Sequence, residues 1–511
     1  MSNETPNNLF TLIKSLTKSE KRYFAIFSKR HILGNQNKYV LLFDALVVQE
    51  VEDEDLLKAI LIKNNYNSNF ISADKNYLYK LVLRSLNEFY YEHNVSLTIK
   101  NNLISIEILF HKGLYRSALK IVKQTERLIT QSESHENLLA ELLLWKRKCS
   151  GYAQGLDKAL SVNTELGHHI ENMNKTQQVV DVYYRTYAER IKDEKITPEE
   201  FSIRFSEMFK SELFSNENNI PSIQGKIFYN LCYAHYYYMC NDFESEHLYH
   251  RRIIEIINDS PIYQKENAME AVALYNRLLS QSKFQNHEVF YKDLEHLKNI
   301  DTSKSFSPLV IKQRILLHAS INELEHLYVH QEYLKASLCI PNIIKEIEKY
   351  DFAVEPYFTI QLSYLYALIY LSIGNYNGAL DCTNQIINNY SVEDNPKVYL
   401  RSQLLNVVVH FELRNYKLVE YLSKAIIKKT KTEQNIEQYE VLLLKNLAVL
   451  CRYGITPRPS TIQASFQKLF ETFDTIKLNN MQAQNTLENY KRWLLAKRQN
   501  KTMLDKINDN K

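Results

Sequence analysis

The stretch "YLSIGNYNGALDC", Tyr370 to Cys382, holds two of the nine glycines in a chain of 511 residues. Either it cradles a phosphate or it is a hinge between two helices. A phosphate cradle needs a strand, a glycine-rich turn and a helix N-terminus, with Lys-Ser/Thr in the Walker form. Here the turn follows apolar residues at helical spacing, Leu362, Leu365, Tyr366, Ile369 and Tyr370. It lacks the lysine, and its shape recurs elsewhere without the second glycine. It reads as a hinge.

The recurrence sets the architecture. "GLYRSALKI" repeats the template with Gly113, Tyr115 and Ala118, matching Gly374, Tyr376 and Ala379. Looser copies place aromatic anchors at Phe243, Phe284, Tyr333 and Tyr416, so the anchors from 243 through 416 lie 41, 49, 43 and 40 residues apart. Pro261, Pro308, Pro356 and Pro396 keep similar time, each 20 to 25 residues ahead of an anchor. Proline is tolerated in the first helical turn, where its missing N–H is not needed. Ser260, Ser307 and Asn395 precede three of these prolines, and Thr197-Pro198-Glu199-Glu200 reads as a capping box. Each unit is therefore a proline-started helix, a short turn and a second helix that begins at the anchor.

With Ala367 and Tyr370 upstream of the turn, and Ala234 and Tyr237 likewise set before Phe243, these residues resemble the tetratricopeptide repeat. The resemblance covers about residues 100–475, with a period longer than the family's usual ~34. It implies small residues where the two helices of a hairpin touch and aromatics wedged between hairpins. Pro341, inside a second helix, departs from the pattern and is expected to kink it. The segment "LIKSLTKSEKRYF" is similar to the start of uncharacterised bacterial helical-repeat proteins and brings no activity with it.

Composition agrees. Scarce glycine leaves few positions for tight hairpins, nucleotide loops or barrel corners. The 36 tyrosines suit helix interfaces that are incompletely dry. A net charge of +4 over this length does not imply nucleic acid. Six cysteines without a C-x-x-C pair read as ordinary thiols of a reducing compartment. With no secretory signal and no run long enough to span a bilayer, the expectation is a cytoplasmic protein.

Residues 1–97 differ: Thr17 and Glu20 stand in capping-box register, and helices are expected near 38–50, 54–64 and 72–92. The acidic run from Glu50 to Asp55 reads as negative charge at a helix N-terminus, with pairing to basic residues 11–30 a further possibility. Lys18, Lys21 and Arg22, with Lys80 and Arg84, form a basic surface that would touch nucleic acid or a partner, although the segment as a whole is near neutral.

Catalytic and metal signatures are missing. His326 and His330 share a helix face, but Leu327 stands where a metalloprotease needs Glu, and spacing implies no third ligand. His247 and His250 are followed by two arginines, and His168-His169 point to different faces. No nucleophile motif occurs. No catalytic residue, metal or cofactor is assigned.

The expected fold is all-α: a right-handed superhelical array of antiparallel helix pairs over 98–475, an N-terminal helical bundle over 1–97, and a capping helix with a frayed tail over 476–511. In the last helix Leu487, Tyr490 and Leu494 share one face and Arg492 lies opposite. The family's groove positions, carried onto this chain, fall on His235, Tyr238, Asn276, Glu325, Tyr328, Tyr364, Ser372 and Arg401. The expected function is a non-catalytic protein- or peptide-binding scaffold. The alternative is a regulator whose bundle binds DNA or a partner under control of a peptide-sensing array.

Overall fold

The computed structural model describes residues 6–29, 38–50, 52–64, 70–91, 94–132, 134–192, 198–282, 285–303, 305–350, 354–430, 437–476 and 481–509. Among these residues there are 26 α-helices and no β-strand, and helices adjacent in sequence pack on one another. No helix among them is long and apolar enough to cross a membrane.

The first five helices are α1 (Pro6–Ser15), α2 (Lys18–Lys29), α3 (Lys38–Val48), α4 (Glu54–Lys63) and α5 (Ile71–Tyr91). Both bonds of the capping box between α1 and α2 form: Thr17 N–H donates to Glu20 Oε2 at 2.5 Å, and Glu20 N–H to Thr17 Oγ1 at 3.3 Å. Asp53 caps α4 by accepting from the amides of Asp55 and Leu56, both at 2.9 Å. The ion pairs of the acidic run go to Lys75 of α5, which reaches Glu54 and lies 3.9 Å from Glu52.

Helix pairs follow: α6 (Val95–His111) with α7 (Tyr115–Ser132), then α8 (Glu136–Ala153) with α9 (Leu156–Lys192). After α10 (Pro198–Phe209) and the single turn α11 (Glu212–Ser215) come α12 (Ile223–Met239) and α13 (Phe243–Asn258). A short α14 (Pro261–Glu266) leads into α15 (Ala268–Ser282), which packs with α16 (His287–Lys298). The remaining pairs are α17 (Pro308–Val329) with α18 (Tyr333–Ile347), α19 (Pro356–Ser372) with α20 (Tyr376–Asn389), and α21 (Pro396–Glu412) with α22 (Tyr416–Thr430). They are followed by α23 (Gln438–Leu450) with α24 (Pro459–Asp474) and α25 (Met481–Arg498) with α26 (Met503–Asp509).

Both sequence markers fall at helix starts. Tyr115, Phe243, Tyr333, Tyr376 and Tyr416 each open a second helix, and Pro261, Pro308, Pro356 and Pro396 each open a helix. Two expected units lie outside the described residues: Phe284 and the cap residue Thr197. Of the other three expected caps, Asn395 accepts from Val398 N–H at 3.4 Å, whereas Ser260 and Ser307 make no side-chain cap bond. At Pro261 the first helix is interrupted after Glu266 and resumes at Ala268. Helix α18 runs through Pro341 to Ile347, although the proline leaves a carbonyl one turn earlier without its usual donor. The tail expected to fray carries α26, with Met503 buried and a Thr502–Asp505 box at its start.

The hinges share one geometry. Two places ahead of each anchor sits a left-handed residue: Gly113 (φ 74°), Asn241 (60°), Gln331 (62°), Gly374 (81°) and Arg414 (61°). Its N–H bonds to the carbonyl three residues back, and the next N–H to the carbonyl five before it. Examples are Gly374 N to Leu371 O at 3.2 Å and Asn375 N to Tyr370 O at 2.9 Å. This paired capping satisfies carbonyls orphaned at the helix end and turns the chain back. Downstream, Ala118, Ala336 and Ala379 are fully buried where the second helix meets its partner.

Neighbouring pairs share helices between apolar groups. Ile311, Ile315 and Ala319 of α17 pack in the apolar group that begins at Val179, while Leu317, Ile321 and Leu324 pack in the group that extends to Met503. One helix therefore serves two neighbours, and no single pair buries its own apolar surface. The bundle has its own apolar group, from Leu9 to Val82.

The hinge predicts opposite signs for glycine exchange. Arg414→Gly and Gln331→Gly should each raise unfolding free energy by up to about 1 kcal/mol, because an L side chain is strained at positive φ. Gly374→Ala should lower it by about 1 kcal/mol or more, since the new Cβ also lies 3.1 Å from Thr502 Cγ2. Urea unfolding of the three variants checks both signs.

Candidate functional site

The expected groove residues lie on the first helices α12, α15, α17, α19 and α21, and of these α15, α17, α19 and α21 pack on one another in turn. Their surroundings fall into two groups.

The later first helices are met by side chains of the chain's own C-terminal hairpin. Trp493 of α25 donates its indole N–H to Glu412 Oε1 at 2.6 Å, and Lys497 Nζ lies 2.6 Å from Glu412 Oε2. The Glu412 side chain is only 6% exposed, so this carboxylate bridges two α25 side chains in a dry setting. The Trp493 ring meets Phe411 edge-on at 6.0 Å, and Tyr490 packs 6.4 Å from Tyr439 of α23. Arg492, expected to lie opposite the apolar stripe, is half-buried, and its charge pulls the Tyr333 hydroxyl down against the larger upward push of burial. Leu487, Trp493, Leu494 and Ala496 are buried. On its other side α25 packs against α24. It therefore has two contact surfaces, one on α24 and one on side chains of α21 and α23.

Four expected groove residues, Glu325, Tyr328, Tyr364 and Arg401, meet beneath α25. They line a cavity of about 200 Å³ together with Asn485, Asn489 and Arg492 of that helix. Burial drives the Tyr328 hydroxyl far above its usual range and the Tyr364 hydroxyl up to about 12. The neighbouring Glu440 carboxyl is pushed upward by burial, against the pull of its bond from Glu437 N–H and of the Arg401 charge. Ser372 is fully buried: its hydroxyl donates to Leu368 O at 2.8 Å and lies 3.6 Å from Met503 Sδ, which makes it a packing position.

The earlier positions are met by α9, α10 and α13. His235 and Tyr238 line a cavity of about 330 Å³ with Tyr183 and Tyr187 of α9, Glu246 and His250 of α13, and Arg277 of α15. His235 is buried, with Nε2 3.3 Å from Thr186 O. Tyr238 is half-buried, its ring 6.3 Å from Phe243. Arg277 donates to the Tyr183 hydroxyl at 3.3 Å. Asn276, one residue before it, accepts from Asn322 Nδ2 at 2.7 Å and ties α15 to α17. The sequence reading missed Arg277, Glu246 and the α9 tyrosines because second helices and the unusually long α9 contribute to this wall. Arg277 was the nearest signal, being next to Asn276.

The histidines are engaged in packing. His287 of α16 joins His326 and His330, as spacing alone could not foresee. His326 Nε2 lies 2.9 Å from His287 Nδ1, His330 Nε2 3.0 Å from Gln285 O, and the His326 ring stacks on Phe290 at 3.8 Å. His250 is buried beside Glu246, 3.7 Å away, and burial lowers the His247 pKa. His169 Nε2 lies 2.7 Å from Glu136 O. Among the described residues no group of three or more His, Cys, Asp or Glu side chains is arranged to hold a metal ion. All six cysteines are free thiols, and burial raises those of Cys382 and Cys451 to about 11 and about 12.

On the bundle, Lys18, Arg22, Lys80 and Arg84 are exposed and Lys21 is partly covered. The α2 and α5 helices that carry them pack together. At the end of α5, the Tyr90 hydroxyl bonds Glu20 Oε1 at 2.5 Å and Phe306 O at 2.6 Å, so the bundle touches the loop ahead of α17.

No protein-family model, curated protein or solved structure matches this chain.

Removing the bridge at Glu412 should loosen the C-terminal hairpin. Glu412→Ala strands Lys497 and the Trp493 N–H and should cost about 3 kcal/mol. Hydrogen exchange should then quicken in α25 and α26 while the bundle keeps its protection.

Proposed function

We propose that this chain is a non-catalytic protein- or peptide-binding scaffold. In this reading residues 98–475 form a right-handed superhelix of the tetratricopeptide type, and the first-helix face is its concave wall. One observation supports the reading: side chains of α17, α19 and α21 already hold a helix, the chain's own α25, through tyrosine, arginine and glutamate groups. Aromatic and arginine side chains suit such a surface because they bury area and still hydrogen-bond. The cavity beside Tyr238 and Arg277 is of the same character, and a partner segment would enter there. Affinity capture with the full chain checks this. Tyr238→Ala and Arg277→Ala should each reduce recovery of a partner at least about tenfold, while Lys18→Ala and Arg22→Ala leave it intact. If every captured protein survives the wall substitutions, the scaffold reading is wrong.

The Tyr90–Phe306 contact favours a second reading, in which the bundle reports the state of the array. Its exposed Lys18, Arg22, Lys80 and Arg84 would then meet nucleic acid. Duplex DNA should bind the full chain at about 50 mM salt and dissociate steeply as salt rises. Replacing the four basic residues by alanine should abolish binding. DNA that stays unbound at low salt rules this reading out.

A further inference from the structure

A third cavity, of about 460 Å³, opens between the start of α8, the middle of α9, α12 and the α14–α15 segment. Its charged lining consists of Glu136 and Glu270, and neither lysine nor arginine lines it. Tyr184, Phe228 and Tyr263 supply aromatic faces, and four side-chain amides complete the polar wall. Glu270 accepts from the Tyr263 hydroxyl at 3.0 Å, and its carboxyl is held above the ordinary range by burial. Burial also raises Glu136, with the charge of a protonated His169 pulling the other way. The neighbouring Glu266 is engaged by the Ser134 hydroxyl and by His135, whose Nε2 lies 3.4 Å away. A carboxylate withdrawn from water is costly without a countercharge, and this cavity presents two that are half-buried.

We propose that the cavity binds a primary ammonium ion, carried either by a free polyamine or by a lysine side chain of a peptide, with Glu136 and Glu270 as its countercharge. Carboxylates and amide carbonyls accept the three N–H donors of an ammonium group, and aromatic faces attract a cation. A quaternary ammonium has no donors and would leave those acceptors unsatisfied. A hard divalent cation wants six or more oxygen ligands, whereas two carboxyl groups are the only ionisable oxygens here besides the tyrosine hydroxyls. An anion would be repelled.

The pH dependence has a definite sign. Both carboxyls sit above their ordinary range in the free protein, and a bound cation favours their ionised form. Binding therefore expels protons in acid, and affinity should rise with pH until both groups are ionised.

Isothermal titration of the full chain at low ionic strength tests the site, with spermidine and acetyl-Gly-Lys-Gly-amide as probes. Tetramethylammonium and 1,6-hexanediol serve as controls. Saturable binding of an ammonium probe is expected, with both controls silent and affinity falling between pH 7.5 and pH 5. Glu136→Gln and Glu270→Gln should each weaken binding at least tenfold. Spermidine binding alone assigns the site to free amines; peptide binding assigns it to a lysine side chain. In the wild-type chain the bound probe should also protect Glu136 and Glu270 from carbodiimide labelling, a readout independent of how the variants fold. The proposal is overturned if neither ammonium probe binds, if both glutamine variants bind as the wild type does, or if neither carboxyl is protected.

Discussion

A helix end leaves carbonyls without partners, and how this chain satisfies them sets everything downstream. At five hinges a left-handed residue two places before the second helix closes the same pair of backbone bonds. The bonds are made by main-chain atoms, so the side chain is free to vary: glycine at 113 and 374, asparagine at 241, glutamine at 331, arginine at 414. Buried alanines then let the returning helix lie close.

Helices reversed in this way present one face to their partner and another to the next pair. The shared use of α17 by two apolar groups shows why the stack holds as a unit. The C-terminal hairpin is held on these helices at Glu412 by an indole N–H and an ammonium group. Hydrophobic burial of Trp493 and Leu494 supplies area, and the buried carboxylate supplies register, since only one placement of α25 pairs it with both donors.

The helix starts were legible because proline and the aromatic anchor each act locally. Proline cannot donate and so marks a first turn, while the anchor fills the notch directly after the hinge. Local signals failed where the chain departs from its own period. Nothing near Leu156 announces a helix of 37 residues, and nothing near Asn267 foretells the break between α14 and α15. Among the groove residues, Glu325, Tyr328, Tyr364 and Arg401 do converge on one cavity, whereas Ser372, about two turns beyond Tyr364 on α19, turns into the core. A register error of a single residue rotates a helical side chain by roughly 100°, enough to separate wall from interior.

By itself the sequence determined an all-helical chain, the positions of its reversals and the residues that begin each second helix. These depend on dihedral preference, missing donors and apolar spacing within a few residues. Tertiary structure alone decided that α25 lies over the first-helix face, that His287 meets His326 and His330, and that Glu136 and Glu270 border one cavity. Those partners are tens to more than a hundred residues apart, and only the stacking angle of successive pairs brings them together.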